Sequence, residues 1–182
     1  MKKLLIPVIG VIAFALGWFL TNQNSNDNHN DIWVPYDNPL FSIQFPPNAH
    51  VEQETSQDKG LITHFYNGHV LDAGWANVGV TDYSTPTTKS KAESALTETF
   101  SAWFKPGSWS GPITDTTLGS LPAKEQIFRG MPTDSNTPLT LHVRVALSEN
   151  GLRLWTLTTS FKDSHKLSET DCNKFFDSLE IK

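Results

Sequence analysis

Residues 139–161, LTLHVRVALSENGLRLWTLTTSF, decide how this chain folds. Leu139, Leu141, Val143, Val145 and Leu147 alternate strictly with other residues, the period-two pattern of a strand with one apolar face. The segment after Asn150–Gly151 carries its bulk at Trp155, Leu157 and Phe161, again at odd positions. If the two sets share a face, odd residues must pair with odd ones. A two-residue turn at Asn150–Gly151 would pair odd with even, so a longer loop is expected, with Gly151 left-handed and forming a G1 bulge. The unit is an antiparallel hairpin.

Moving outward, ITDTTL (113–118) and PAKEQIFRG (122–130) continue the strand pattern up to a loop rich in Pro, Asp and Asn at 131–138. Near the start of the domain, FSIQFP (41–46) places Phe41, Ile43 and Phe45 on one face and stops at two prolines. Between Leu61 and Tyr83 the pair Asn67–Gly68 is a strong hairpin signal and predicts two or three strands, the last running through Val78 and Val80. The period changes from Ser90 to Phe104: Ala92, Ala95, Leu96, Phe100, Trp103 and Phe104 fall at helical spacings, and Pro106–Gly107 ends the run. A second helix is predicted near the C-terminus, capped by Ser168 with Asp171 three residues on and burying Cys172, Phe175, Phe176 and Leu179. Strands in hairpins with two amphipathic helices imply an α+β domain, an antiparallel sheet flanked by helices.

The N-terminus concerns location. Lys2 and Lys3 precede an apolar run from Leu4 to Leu20, which reads as an export signal with its lysines on the cytoplasmic side. The run is close to the minimum bilayer span of roughly 17 residues, and Trp18 suits an interface. An uncleaved anchor over residues 1–20 is the preferred reading. Cleavage after the small residues Ala15 or Gly17, giving a secreted or soluble periplasmic protein, is the alternative. The next stretch, TNQNSNDNHND (21–31), has no aliphatic or aromatic residue and reads as a flexible tether reaching residue 32, with the globular domain at 33–182. These features place the domain outside the cytoplasm, held to the inner membrane through residues 4–20.

Composition narrows the partners. Residues 1–31 contain two of the 14 basic and two of the 19 acidic side chains, so the domain keeps the net charge of −5. Such a balance gives no footing for nucleic acid and no polybasic patch for anionic lipid. The single cysteine, Cys172, rules out an internal disulfide and lies on the apolar stripe of the last helix, where an inert buried thiol is the simple reading.

Chemistry-bearing residues are sparse. His64 and His69 flank Asn67–Gly68, and a two-residue turn there would bring both imidazoles to one face as a zinc or copper pair, whereas a bulged turn would separate them. GSWSG (107–111) has Trp109 where a nucleophile elbow needs serine. His50, His142 and His165 show no spacing to a serine and a carboxylate. No cofactor motif is present, and the reading is non-enzymatic. Trp109, between Pro106, Gly107 and Pro112, either folds back over the sheet edge or anchors a protein interface. Trp33 is expected to pin the domain's start to the core, and Arg144 and Arg153 to be solvated charges.

FSIQFPPNAHV, the mid-chain helix, LGSLPAKEQIF, NGLRLWTLTTSF and FFDSLEI occur in an order that resembles the PsbP-like superfamily. It includes the extrinsic P protein of photosystem II, a regulator that binds the GTPase Ran, and small exported bacterial proteins. The resemblance spans Phe41 to Ile181, and Ser120 stands where many relatives have a second glycine. It implies an α/β/α sandwich acting by binding or by assisting assembly, without a shared catalytic constellation. The resulting expectation is an exported domain that binds an envelope protein, with a metal-binding or hydrolytic envelope protein as the alternative.

Overall fold

The structure is a computed structural model that describes residues 32–58, 61–70, 74–133, 136–162 and 169–182. In chain order its elements are β1 (Val34–Asp37), β2 (Phe41–Phe45), β3 (His50–Asp58), β4 (Leu61–Val70), β5 (Gly74–Asp82), α1 (Lys89–Trp103), β6 (Trp109–Ser110), β7 (Thr114–Leu118), β8 (Leu121–Gly130), β9 (Leu139–Leu147), β10 (Arg153–Lys162), α2 (Glu169–Asp177) and β11 (Glu180–Ile181). A large antiparallel sheet runs β3-β4-β5-β10-β9-β8-β6, with β7 also paired to β8. A small sheet, β1-β2-β11, forms a second layer.

The large sheet buries both faces, which explains the near-continuous burial of β9. On the first face, Leu139, Leu141, Val143, Val145 and Leu147 share a core with Ala92, Phe100 and Trp103 of α1. Thr88 caps that helix by accepting from the Lys91 amide. On the second face, Ala76, Val78, Val80, Trp155 and Leu157 meet Phe41, Ile43 and Phe45 of the small sheet, and Cys172, Phe175, Phe176 and Leu179 from α2 and its end. Phe41 is edge-on to both Tyr66 and Trp155, with centroids 4.9 and 5.9 Å away.

This corrects the expected α+β, α/β/α arrangement: the molecule is a β-rich sandwich. A three-stranded sheet fills much of the layer where a flanking helix was expected, because Val34–Asp37 pairs with FSIQF and the C-terminal Glu180–Ile181 adds to its other edge. Two further readings change. Asn67 and Gly68 do not turn. They lie inside β4, paired to β3 and β5 on either side, so the two-neighbour ladder outweighs the local turn preference. The late hairpin does have a longer loop with Gly151 left-handed (φ 71°), but Leu147 pairs with Leu154, so odd residues face even ones. Trp155 and Leu157 therefore enter the second core, an option available only because that face is also covered.

Arg144 is likewise not solvated. Its side chain is 8 % exposed and projects from the second face. It donates to Glu125 Oε2 (3.3 Å), Asp177 Oδ1 (2.7 Å) and Asn173 Oδ1 (2.9 Å), and its guanidinium covers Phe176 at 4.7 Å. The cluster ties α2 to β8 and β9. Arg153 pairs with Asp82 across the β10–β5 ladder, donating from Nε at 2.6 Å. Trp33 is half-buried against the second core, with Lys174 Nζ 4.3 Å from its ring centroid. The predicted cap Ser168 lies outside the described residues, as do residues 1–31, which hold the apolar run and nearly all of the tether.

Candidate partner-binding site

β6 is built by the punctuation that ends α1. Gly107 adopts φ +89°, Ser108 donates its amide to the Lys105 carbonyl (3.2 Å), and the chain returns along the outer edge of β8. Trp109 then pairs with Arg129 and Ser110 with Phe128, and the Gly111 amide donates to the Ile127 carbonyl at 2.8 Å. Directly paired residues share a face, so the indole and the guanidinium emerge together on the second face. The Arg129 guanidinium lies 5.3 Å from the Trp109 ring centroid. An exposed cation–π pair of this kind contributes about 0.5–1 kcal/mol.

Gly111 provides the floor. A Cβ at that position would stand 2.7 Å from Trp109 Cη2, so only glycine lets the ring lie along the edge. The ring is thus partly folded back, yet 49 % of the residue remains exposed. Trp75, Trp103 and Trp155 are all buried. Trp109 is held in one place with half its surface open to an incoming group.

The two histidines read as a metal pair are not brought together. With β4 continuous, they stand five positions apart and point to opposite faces. His64 lies opposite Thr55 and Val80, its Nδ1 3.0 Å from Thr55 Oγ1. His69 lies on the first face, opposite His50 and Trp75. Burial lowers its imidazole pKa below the ordinary 6.5, with Glu52 opposing and His50 reinforcing the shift. His50 is the neighbour that the turn reading concealed, and its Nε2 lies 3.5 Å from Glu52 Oε1. Among the described residues, no group of three or more His, Cys, Asp or Glu side chains is arranged to hold a metal ion.

Cys172 is fully buried, and desolvation raises its thiol pKa, as the helical stripe implied. A recess of about 70 Å³ lies between the start of α1 and β7–β8, lined by Lys89, Glu93, Asp115 and Lys124 among others. Pockets for drug-sized ligands run to roughly 300–1,000 Å³, so it offers room for little more than water or an ion. Arg129 is the site residue that sequence reading missed; its pairing with Trp109 bridges the helix-ending turn and the loop at 131–138, which no local pattern reveals. No protein-family model matches this chain, and no curated protein matches it in sequence.

Proposed function

We propose that this protein is an exported, membrane-anchored, non-enzymatic domain that binds a protein partner in the cell envelope or assists the assembly of one. The observation carrying this reading is the half-exposed Trp109, floored by Gly111 and backed by Arg129. Tryptophan and arginine are the residue types most enriched among interface anchors, and an indole already held in position loses little entropy on binding. Kinship with PsbP-like proteins, which rests on the order of elements, belongs to the same proposal. The sequence of residues 1–20 supports the anchor and the placement of the domain outside the cytoplasm.

The test is in-cell crosslinking of the full chain, followed by purification from membranes, with Trp109→Ala and Arg129→Ala alongside wild type. A partner recovered reproducibly with wild type and lost with Trp109→Ala, at unchanged thermal stability, supports the reading. Equal recovery from wild type and both variants would overturn it.

A further inference from the structure

We infer that Gln126, buried on the face covered by α1, is the positioning residue of the Trp109 site and makes that site depend on the docked helix; this rests on the partner-binding reading above. β6 has two residues, below the usual strand length, and few ladder bonds to hold it. The edge it begins also slips against β8. From Trp109 to Thr114 the outer chain advances five positions, while its partners on β8 step back four, from Arg129 to Glu125. Since the Gly111 amide donates to the Ile127 carbonyl, Pro112 and Ile113 stand against Gln126 alone, the two-against-one count of a β-bulge. Pro112 brings no amide to the ladder there. The Gln126 side chain bonds across the slip: its Nε2 donates to the Gly111 carbonyl at 3.0 Å, and its Oε1 accepts from Thr97 Oγ1 of α1, also at 3.0 Å.

The surrounding core does not demand an amide at this position. Gln126 is 5 % exposed and pairs with Val143 on the first face, where leucine would fill a similar volume and leave no polar group to satisfy. What the amide adds is direction. The Gly111 peptide is held on both sides, its N–H by the Ile127 carbonyl at 2.8 Å and its carbonyl by Gln126, and Gly111 is the floor on which the indole lies. The start of β6 is fixed by shape, because a Cβ on Gly130 would collide with Ser108. With both ends set, the ring has one resting place. Bulges recur beside functional sites because they re-aim a side chain, and a buried polar group bonded at both ends specifies a single geometry. Thr97 orients the amide, so loosening α1 releases the Gly111 carbonyl and the ring above it.

The experiment follows the ring itself, by fluorine NMR of the full chain in detergent micelles with fluorotryptophan at its six tryptophans, the Trp109 resonance being identified by its loss in Trp109→Phe. Gln126→Leu should move that resonance and leave those of buried Trp75 and Trp155 in place. Partner capture in the crosslinking assay should fall about fivefold, the equilibrium effect of losing one typical hydrogen bond. Thr97→Val, which cuts only the tie to the helix and serves if Gln126→Leu does not fold, should move the resonance the same way by less. The control is Thr63→Val, which removes another buried hydrogen bond on the first face, to Thr81 at 3.0 Å, and should leave both resonance and capture unchanged. A Trp109 resonance that Thr97→Val leaves unmoved would overturn the dependence on α1, and one that Gln126→Leu leaves unmoved, or that Thr63→Val moves equally, would overturn the inference whole. The partner-binding reading survives each of these results. A moved resonance with undiminished capture would overturn the inference alone if Trp109→Ala loses the partner, and both readings if it does not.

Discussion

Gly68→Ala tests the least expected feature of the fold, a glycine that reads as a turn and serves as a packing surface. A Cβ at position 68 would stand 2.9 Å from Phe45 Cε1 and nearer still to Cδ1, and Phe45 is fully buried. The ring packs against Tyr36 and Phe175 on its other sides, so the small sheet must lift or the ring must leave its rotamer. Overpacking of this kind costs about 1–3 kcal/mol. The opposing gain, from a less flexible unfolded chain, is about 0.4–1 kcal/mol. The net expectation is a loss of about 1–2 kcal/mol, or about 2–8 °C in Tm for a domain of this size. Gly79→Ala is the control one strand away. Its Cβ would meet Phe65 and Thr156 at an ordinary 3.6 Å, so the variant should be neutral or slightly stabilised. The assay is urea unfolding of wild type, both variants and the double variant Gly68→Ala/Phe45→Leu, in which the smaller side chain recovers about 1 kcal/mol of the loss. A left-handed turn glycine would also be harmed by alanine, but Phe45→Leu would not rescue it. Gly68→Ala as stable as wild type, or no coupling to Phe45, would refute the packing argument.

Three further outcomes are expected. Arg144→Ala leaves Glu125 with His142 Nδ1, at 4.0 Å, in place of the guanidinium and should cost about 3–5 kcal/mol, whereas Asp177→Asn, at a carboxylate 67 % exposed, should cost at most about 1 kcal/mol; equal midpoints in urea would contradict the clamp. Gly111→Ala should push the indole off its floor and weaken partner capture as much as Trp109→Ala does, while costing under about 1 kcal/mol in stability at this edge position; undiminished capture would show that the ring position is irrelevant. Because burial holds the His69 pKa below 6.5, the unfolded chain binds more protons in the window beneath that value. The stability due to neutral His69 is complete above pH 6.5 and is lost as pH falls through the folded value, so the urea midpoint should fall as pH drops below 6.5 and fall less in His69→Gln; identical slopes would exclude the linkage.

Much of the fold was legible residue by residue. The odd-numbered apolar positions of β9 and the stripe Ala92, Phe100, Trp103 are buried as their spacing implies, and Cys172, Phe175, Phe176 and Leu179 close the second core. The errors arose where a local signal competed with a distant partner. Asn67–Gly68 favours a turn by its own backbone preferences, but two neighbouring strands and the Phe45 ring use it as strand. Trp155 and Leu157 seemed to need the face of Leu147 because only one buried face was assumed. Arg144 appeared solvated because Asp177, its partner on α2, lies 33 residues away. At the candidate site the exposed tryptophan was visible as an aromatic caught between Pro and Gly breakers, whereas Arg129 and the glycine floor were not.

The sequence by itself determined the apolar faces of β2, β9, α1 and α2, since periodicity records the environment of successive side chains along one element. It also carried the basic and apolar N-terminal pattern and the acidic balance that disfavours nucleic acid. Only the tertiary structure decided the register of the strands, the β-sandwich layering that replaced the expected flanking helix, the separation of His64 from His69 and the joining of Trp109 to Arg129. Those depend on pairing between segments far apart in the chain, where burial of both sheet faces supplies the free energy that overrides local preference.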